Sequence, residues 1–258
     1  MVPEASLVMP VYNHARFISA AIESVLSQTF SDFELLIWDD GSTDQSLQIA
    51  RHYSELDSRV RVVAASHQGI APSLKAAFAA TTGTYIGSID SDDLLAPTAL
   101  KETVAVLNAY PSVGLVYTNY QVIDAQNRDR GLGHRCQIPY SPKRLLLDFM
   151  TFHFRLMRRS IYEQAGGINP QFKRAEDYDL CLRLSEVTEV FHLQRSLYSY
   201  RRHSRNVTNQ SLEMLYWAYQ ASLQALKRRG LNQQYKLTLN LKGEFVLWQT
   251  KAAKSTQI

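Results

Sequence analysis

Apolar positions along this chain follow two rhythms. Short runs, "ASLVMPV" (5–11), "ELLIWDD" (34–40), "RVRVVAA" (59–65) and "TYIGSID" (84–90), have the length and composition of buried strands. Between them lie helical patterns. In "HARFISAAIESVLSQ", Phe17, Ile18, Ala21, Ile22, Val25 and Leu26 recur at helical spacing. "GSTDQS" supplies a glycine turn and capping residues for a second helix ending near Tyr53, and "APSLKAAFAA" forms a third. The alternation β-α-β-α-β-α-β predicts an α/β fold: a Rossmann-like, mostly parallel sheet with helices on both faces, binding ligands beyond the carboxyl ends of its strands.

After Pro97 the pattern loosens. It predicts a helix to about Tyr110, a strand "GLVYTNY", a polar loop over about 124–139, a helix "PKRLLLDFM" and an amphipathic helix around "EDYDLCLRLSEV". "VFHLQ" and "SLYSYRRH" read as two short strands. From about Ser211 the chain is expected to be helical, broken at Gly230 and Asn232.

At 258 residues, 45% of them hydrophobic, the chain can bury one large domain or two joined lobes. No apolar run approaches the roughly 20 residues of a membrane span. The amino terminus "MVPEASLVMPVYN" lacks a basic leader, which predicts a cytoplasmic protein. Cys136 and Cys181 form no motif, so neither a disulfide framework nor a zinc site is expected, and Cys181 reads as helix core. The net charge of +4 is unevenly spread: residues 1–100 hold 5 basic and 12 acidic side chains, the rest 23 and 12. That asymmetry suits a metal or nucleotide site in the first half and an anionic partner, or plain solvated surface, in the second. No basic stripe with interleaved aromatics points to nucleic acid.

The strand rule gathers the polar tips into one crevice: Tyr12 and Asn13 after the first strand, Asp39 and Asp40 at the second, and Asp90, Asp92 and Asp93 after the fourth. Carboxylates are hard ligands suited to Mg²⁺ or Mn²⁺, which fill their remaining positions with phosphate and water. Local spacing alone equally serves a capped turn opening a helix.

"SLVMPVYNHARFISAAIESVLSQTFSDFELLIWDDGSTDQS", "GTYIGSIDSDD" and "RAEDYDLCLRL", in this order, resemble the inverting family 2 glycosyltransferases of the GT-A fold, over about residues 5–205. The resemblance implies a sugar-nucleotide-binding half (1–95), an acceptor and catalytic-base half (96–205) and a C-terminal helical extension (206–258). It implies that Tyr12 stacks on the nucleobase and that Asp40, beside Asp39, accepts from a uracil imide, which favours UDP donors. Pro10 and Gly69 bring backbone to the nucleotide, and Ser91 belongs to the same set. Asp90 serves the ribose or a metal-bound water, Asp92 the metal (Mn²⁺ or Mg²⁺), and Asp93 the donor sugar. Asp177 occupies the base position, with Glu176 beside it, and acids in a first helical turn also simply complement the helix dipole. His203 resembles a histidine that returns to the metal; Arg201, Arg202 or Arg205 is a candidate for the diphosphate, and His153 for the acceptor side.

Two departures bear on function. Lys75 stands where relatives carry Asn or Arg, reaching a phosphate or only covering the helix, and the Gln-x-x-Arg-Trp motif of processive synthases is missing from the sequence. Transfer of one sugar per encounter is therefore expected, to a saccharide or lipid-linked saccharide acceptor in surface polysaccharide synthesis, with peripheral membrane contact through the basic half. The rival readings are a non-catalytic sugar-nucleotide-binding protein of the same fold and a nucleotidyltransferase; the latter normally opens with a glycine- and lysine-bearing loop, which "PVYNHARF" does not provide.

Overall fold

The computed structural model describes residues 2–203, 206, 211–239 and 245–249. Strands β1 (Ala5–Val11), β2 (Phe33–Asp39), β3 (Val60–Ala64) and β4 (Tyr85–Ser88) pair in parallel in the order β3-β2-β1-β4. Helices α1 (Ile18–Leu26), α2 (Ser46–Leu56) and α3 (Ile70–Ala79) connect them. Side chains alternate across β1: Leu7, Met9 and Val11 join one core with Ile18, Ile22 and Val25 of α1, while Val8 joins another with Leu74, Ala77 and Phe78 of α3. A strand buried on both faces must be apolar at successive positions, which explains the unbroken runs.

The sheet continues unbroken past residue 95. Beyond β4 lie β8 (Arg155–Arg158), β6 (Val113–Asp124), β9 (Glu189–Arg202) and the two-residue β5 (Leu94–Leu95). Strand β8 runs antiparallel to both neighbours, β9 runs parallel to β6, and the short β7 (Asp129–Leu132) folds back on β6. Helices α4 (Ala99–Ala109), α5 (Arg159–Gln164), α6 (Glu176–Leu184) and α7 (Ser211–Arg228) complete the layers. Among the described residues, no helix is long and apolar enough to cross a membrane.

Four expectations are corrected. "PKRLLLDFM" makes only a 3-10 turn at Arg144–Leu146. Nine isolated residues make a marginal helix, and here the successive Leu145 and Leu146 are both buried, which decides the backbone. "VFHLQ" and "SLYSYRRH" form one strand, because the register jumps from Thr118↔Leu193 to Asn119↔Ser196 and a bulge absorbs the polar Gln194 and Arg195. The polar 124–139 segment contains β7, whose turn is built by Asp124 accepting from the N–H groups of Gln126 and Arg128. After α7 the chain forms a hairpin, β10 (Tyr235–Leu239) with β11 (Phe245–Gln249), rather than a second helix. The alternation in "YKLTL" and the β-branched and aromatic run "FVLWQ" are the signal for it.

Phe78 is 2% exposed, with its ring centroid 5.1 Å from that of Tyr162. Phe78→Ala is expected to lower stability by about 3–5 kcal/mol in chemical denaturation, since the lost burial is compounded by a cavity.

Candidate active site

A cavity of about 1090 Å³ opens at the carboxyl ends of β1, β2 and β4. Its wall carries Pro10, Tyr12, Asp40 and Gly69 at one end, Asp90, Ser91 and Asp92 at its centre, and Glu176 and Asp177 from the start of α6. The opening loops are stitched to one another. Asn13, in the left-handed region at φ 56°, accepts through Oδ1 from the N–H of Thr43 at 2.8 Å, and the Ala15 N–H donates to Asp44 at 3.0 Å. Between them Gly41 adopts φ 75°, and a Cβ there would stand 2.9 Å from the His67 backbone nitrogen, so the turn requires glycine.

Tyr12 is exposed and stacks on His67, with centroids 4.1 Å apart. Asp40 is buried, and its carboxylate is engaged on both oxygens. Oδ1 accepts from the Gln68 N–H and the Ser73 hydroxyl, each at 2.8 Å; Oδ2 accepts from the Gly69 N–H at 2.9 Å and lies 2.8 Å from His67 Nδ1. A carboxylate offers about four acceptor positions, so Asp40 presents no free edge. His67, with 54% of its side chain exposed, is the partner open to displacement. Asp39 is turned away from the cavity and accepts from the Ser42 N–H at 3.0 Å.

The acidic triplet divides. Asp92 Oδ2 lies 2.8 Å from His203 Nε2, and the His203 ring stacks on Phe17 at 4.8 Å. Asp90 faces the cavity and lies 3.6 Å from His153 Nε2. Ser91 Oγ is 2.7 Å from His14 Nδ1. Asp93 departs from its expected contact with the donor sugar: it is 1% exposed, lies off the cavity wall, and accepts from the Tyr198 hydroxyl at 2.8 Å and the Arg201 N–H at 2.6 Å. Arg201 is corrected with it. Its guanidinium is buried and donates to the carbonyls of Asp92 and Asp124 and to Asn127, so it braces the strand end and does not face a diphosphate. Lys75 is exposed and outside the cavity wall, because the inward face of α3 belongs to Ala71, Ser73, Leu74, Ala77 and Phe78. Arg202 is exposed, and Arg205 lies outside the described residues.

Oxygens of Asp90, Asp92 and Asp93 come within 4.8 Å of one another. With those of Asp93 taken, Asp92 and His203 form the donor pair best placed for a divalent ion, with Asp90 beside it. Adjacent ligands of an octahedral ion with bonds of about 2.1 Å stand about 3 Å apart, and the Asp92–His203 separation fits that edge. The carboxylates suit Mn²⁺ or Mg²⁺, and the imidazole favours the softer Mn²⁺ of the two.

Crowding sets the protonation states. Removal from bulk water, then the negative charges of Asp92 and Asp177, push the Asp90 carboxyl up to about 7, with Arg155 opposing, although 42% of the side chain still opens on the cavity. Glu176 is 8% exposed; burial, then Asp177, push it up to about 8. Asp177 is held differently, accepting through Oδ2 from the buried Arg155 guanidinium at 3.0 Å and through Oδ1 from the Tyr178 N–H at 2.8 Å. The helix start that presents both acids follows Ala175, in the left-handed region at φ 57°. Sequence reading did not find Arg155, which sits two residues after His153 in "FHFRL"; no local pattern separates it from Arg158 or Arg159. His153 does reach the cavity, stacked on Tyr198 at 4.7 Å and kept neutral by burial and by Arg155.

Residues 6–166 match the family model described as glycosyl transferase family 2. The chain is 33% identical over 213 residues to a chondroitin synthase of Escherichia coli, covering 83% of this chain and 31% of that protein, so it spans about a third of that relative's length. Among solved structures it is similar to S. aureus TarS in complex with UDP-GlcNAc, with TM-score 0.72, 18% identity and coverage of 86% of this chain and 66% of that one. It is also similar to the mannosyltransferase PcManGT from Pyrobaculum calidifontis in complex with GDP-Man and Mn²⁺, with TM-score 0.62, 17% identity and coverage of 89% and 76%. The shared fold is GT-A.

Glu176 yields a prediction for the metal-free protein. A carboxyl whose pKa is raised by folding contributes stability that is intact below its unfolded value of about 4.5 and lost as pH climbs through about 8. Glu176→Gln should flatten that decline between these limits in denaturation curves taken across pH. An unchanged slope would show that Glu176 does not titrate this way.

Proposed function

The chain belongs to glycosyl transferase family 2, and on that premise we propose that it moves one sugar from a UDP-sugar to an acceptor hydroxyl with inversion, using a bound Mn²⁺ or Mg²⁺. The observation that carries this reading is that Asp92, itself paired with His203, an exposed aromatic at Tyr12 and the Glu176–Asp177 start of α6 line one cavity. The PcManGT complex with GDP-Man and Mn²⁺ and the TarS complex with UDP-GlcNAc support the cofactor and donor classes.

In this proposal residues 1–95 hold the donor, residues 96–205 the acceptor, and residues 206–258 are an extension. Asp92 from the first and His203 from the second would hold the ion, whose charge would offset that growing on the departing diphosphate. Tyr12 stacks on the base, Asp40 receives its N–H once His67 yields, and the Pro10 and Gly69 backbones flank it. An alcohol is far weaker as an acid than a carboxylic acid, so Asp177 accepts the proton only as the new C–O bond forms. Arg155 fixes that carboxylate through its bond to Oδ2, and Oδ1, which accepts from the Tyr178 N–H, keeps a second lone pair for the substrate hydroxyl. Glu176, protonated at neutral pH, donates a hydrogen bond to substrate in place of acting as base. Attack and departure on opposite faces invert the anomeric carbon. The chain acts in surface polysaccharide or lipid-linked oligosaccharide assembly, at the inner face of a membrane that its basic half approaches.

Asp177→Asn should cut transfer about 10²–10⁴-fold, the usual worth of a general base, while keeping the thermal shift given by UDP with Mn²⁺. Asp92→Asn should abolish the Mn²⁺-dependent part of that shift. A full UDP and Mn²⁺ shift in Asp92→Asn, or transfer intact in Asp177→Asn, would overturn the assignment. Cosedimentation should rise when liposomes contain anionic lipid; equal binding to neutral liposomes removes the membrane proposal.

A further inference from the structure

Beyond the acidic centre the cavity wall changes character. The Arg135 guanidinium lies over Phe152 at 4.5 Å and over Phe149 at 5.4 Å. It is half-buried, lines the cavity, and has no hydrogen bond or ion pair from its side chain among the described residues. Its neighbours do not neutralise it. Arg144 and Asp148 pair with each other, and Arg155 is spent on Asp177 and the Thr151 carbonyl. His134, also on the wall, is driven toward its neutral form by burial and by the charges of Arg135 and Arg202, against Asp148, so the local field is positive. Guanidinium groups stacked on aromatic faces keep their N–H edge free, and that edge matches the two oxygens of a carboxylate or phosphate.

The position of this cation ties it to the reaction. The Phe149 ring that carries Arg135 also carries the Arg155 guanidinium, at 5.5 Å, and Arg155 holds Asp177. Phe152 packs against His153, at 4.4 Å between centroids, and His153 neighbours Asp90. Arg135 therefore sits one aromatic ring away from the guanidinium that holds the proposed base, while Tyr12 and Asp40 stand with His67 and Gly69 at the nucleotide end. A group bound on Arg135 belongs to the molecule whose hydroxyl Asp177 would deprotonate.

We propose that Arg135, cradled by Phe149 and Phe152, is an acceptor subsite for an oxyanion, so that the preferred acceptor carries a carboxylate or phosphate close to its reacting hydroxyl. The assignment rests on the glycosyltransferase reading above. A single charged contact of this kind is worth about tenfold in affinity.

The probes are methyl β-D-glucuronide, methyl β-D-glucoside 6-phosphate and the neutral methyl β-D-glucoside, titrated by NMR against the full chain with UDP and Mn²⁺ present. At least one charged glycoside should bind about tenfold more tightly than the neutral one, and the pair of charged probes distinguishes carboxylate from phosphate. Arg135→Gln should remove that preference and Arg135→Lys should restore part of it, with the UDP shift unchanged in both. Equal binding of all three glycosides by the unaltered chain, no binding of either charged glycoside, or a preference that survives Arg135→Gln would overturn the proposal. Loss of the UDP and Mn²⁺ shift in the unaltered chain would instead sink the donor reading.

Discussion

The site depends on one buried carboxylate. Asp93 accepts from the Tyr198 hydroxyl and from the Arg201 N–H, and Arg201 returns a bond to the Asp92 carbonyl. These contacts clamp the end of β9 against the turn after β4, across more than 100 residues of sequence. The chain leaving β9 then delivers His203 onto Asp92. A buried polar group left without partners is costly, so the clamp has few alternative geometries.

The same crowding that holds the turn also sets its chemistry. Several carboxyl groups around one cavity cannot all be ionised in a low-dielectric setting, and Asp90 and Glu176 yield by shifting upward while Asp177 keeps a guanidinium partner. Two adjacent acids of α6 are thereby set apart by their surroundings alone, Glu176 buried and shifted upward, Asp177 paired with Arg155. A divalent ion entering beside Asp92 would relieve the repulsion that adds to burial in raising Asp90, which couples ion binding to the protonation of the cavity. The aromatic wall continues this division of labour: Phe149 faces two guanidinium groups, one committed to Asp177 and the other open to the cavity.

Much of this was legible in the chain. Strands buried on both faces produce continuous apolar runs, and strand ends in such a sheet point toward one crevice, so Tyr12, Asp40, Asp90, Asp92 and the four-strand alternation could be read from spacing. The long-range partners could not. Asp93 and Arg201 look like site residues by type and position, and only the fold shows that Asp93 is spent on the Tyr198 hydroxyl and the Arg201 N–H, and the Arg201 guanidinium on two carbonyls and Asn127. Lys75 is separated from Ser73 by two positions, enough on a helix to turn it from the cavity to solvent. Arg155 carries no signal because its role exists only where β8 passes beneath the start of α6.

The sequence by itself determined the layered α/β architecture and the cluster of acids beyond its strands, because hydrophobic periodicity and strand direction are local properties. Tertiary structure alone decided which of those acids faces the cavity, which is neutral and which is paired. That choice turns on desolvation and on hydrogen-bond partners brought from distant segments, neither of which is written at the position concerned.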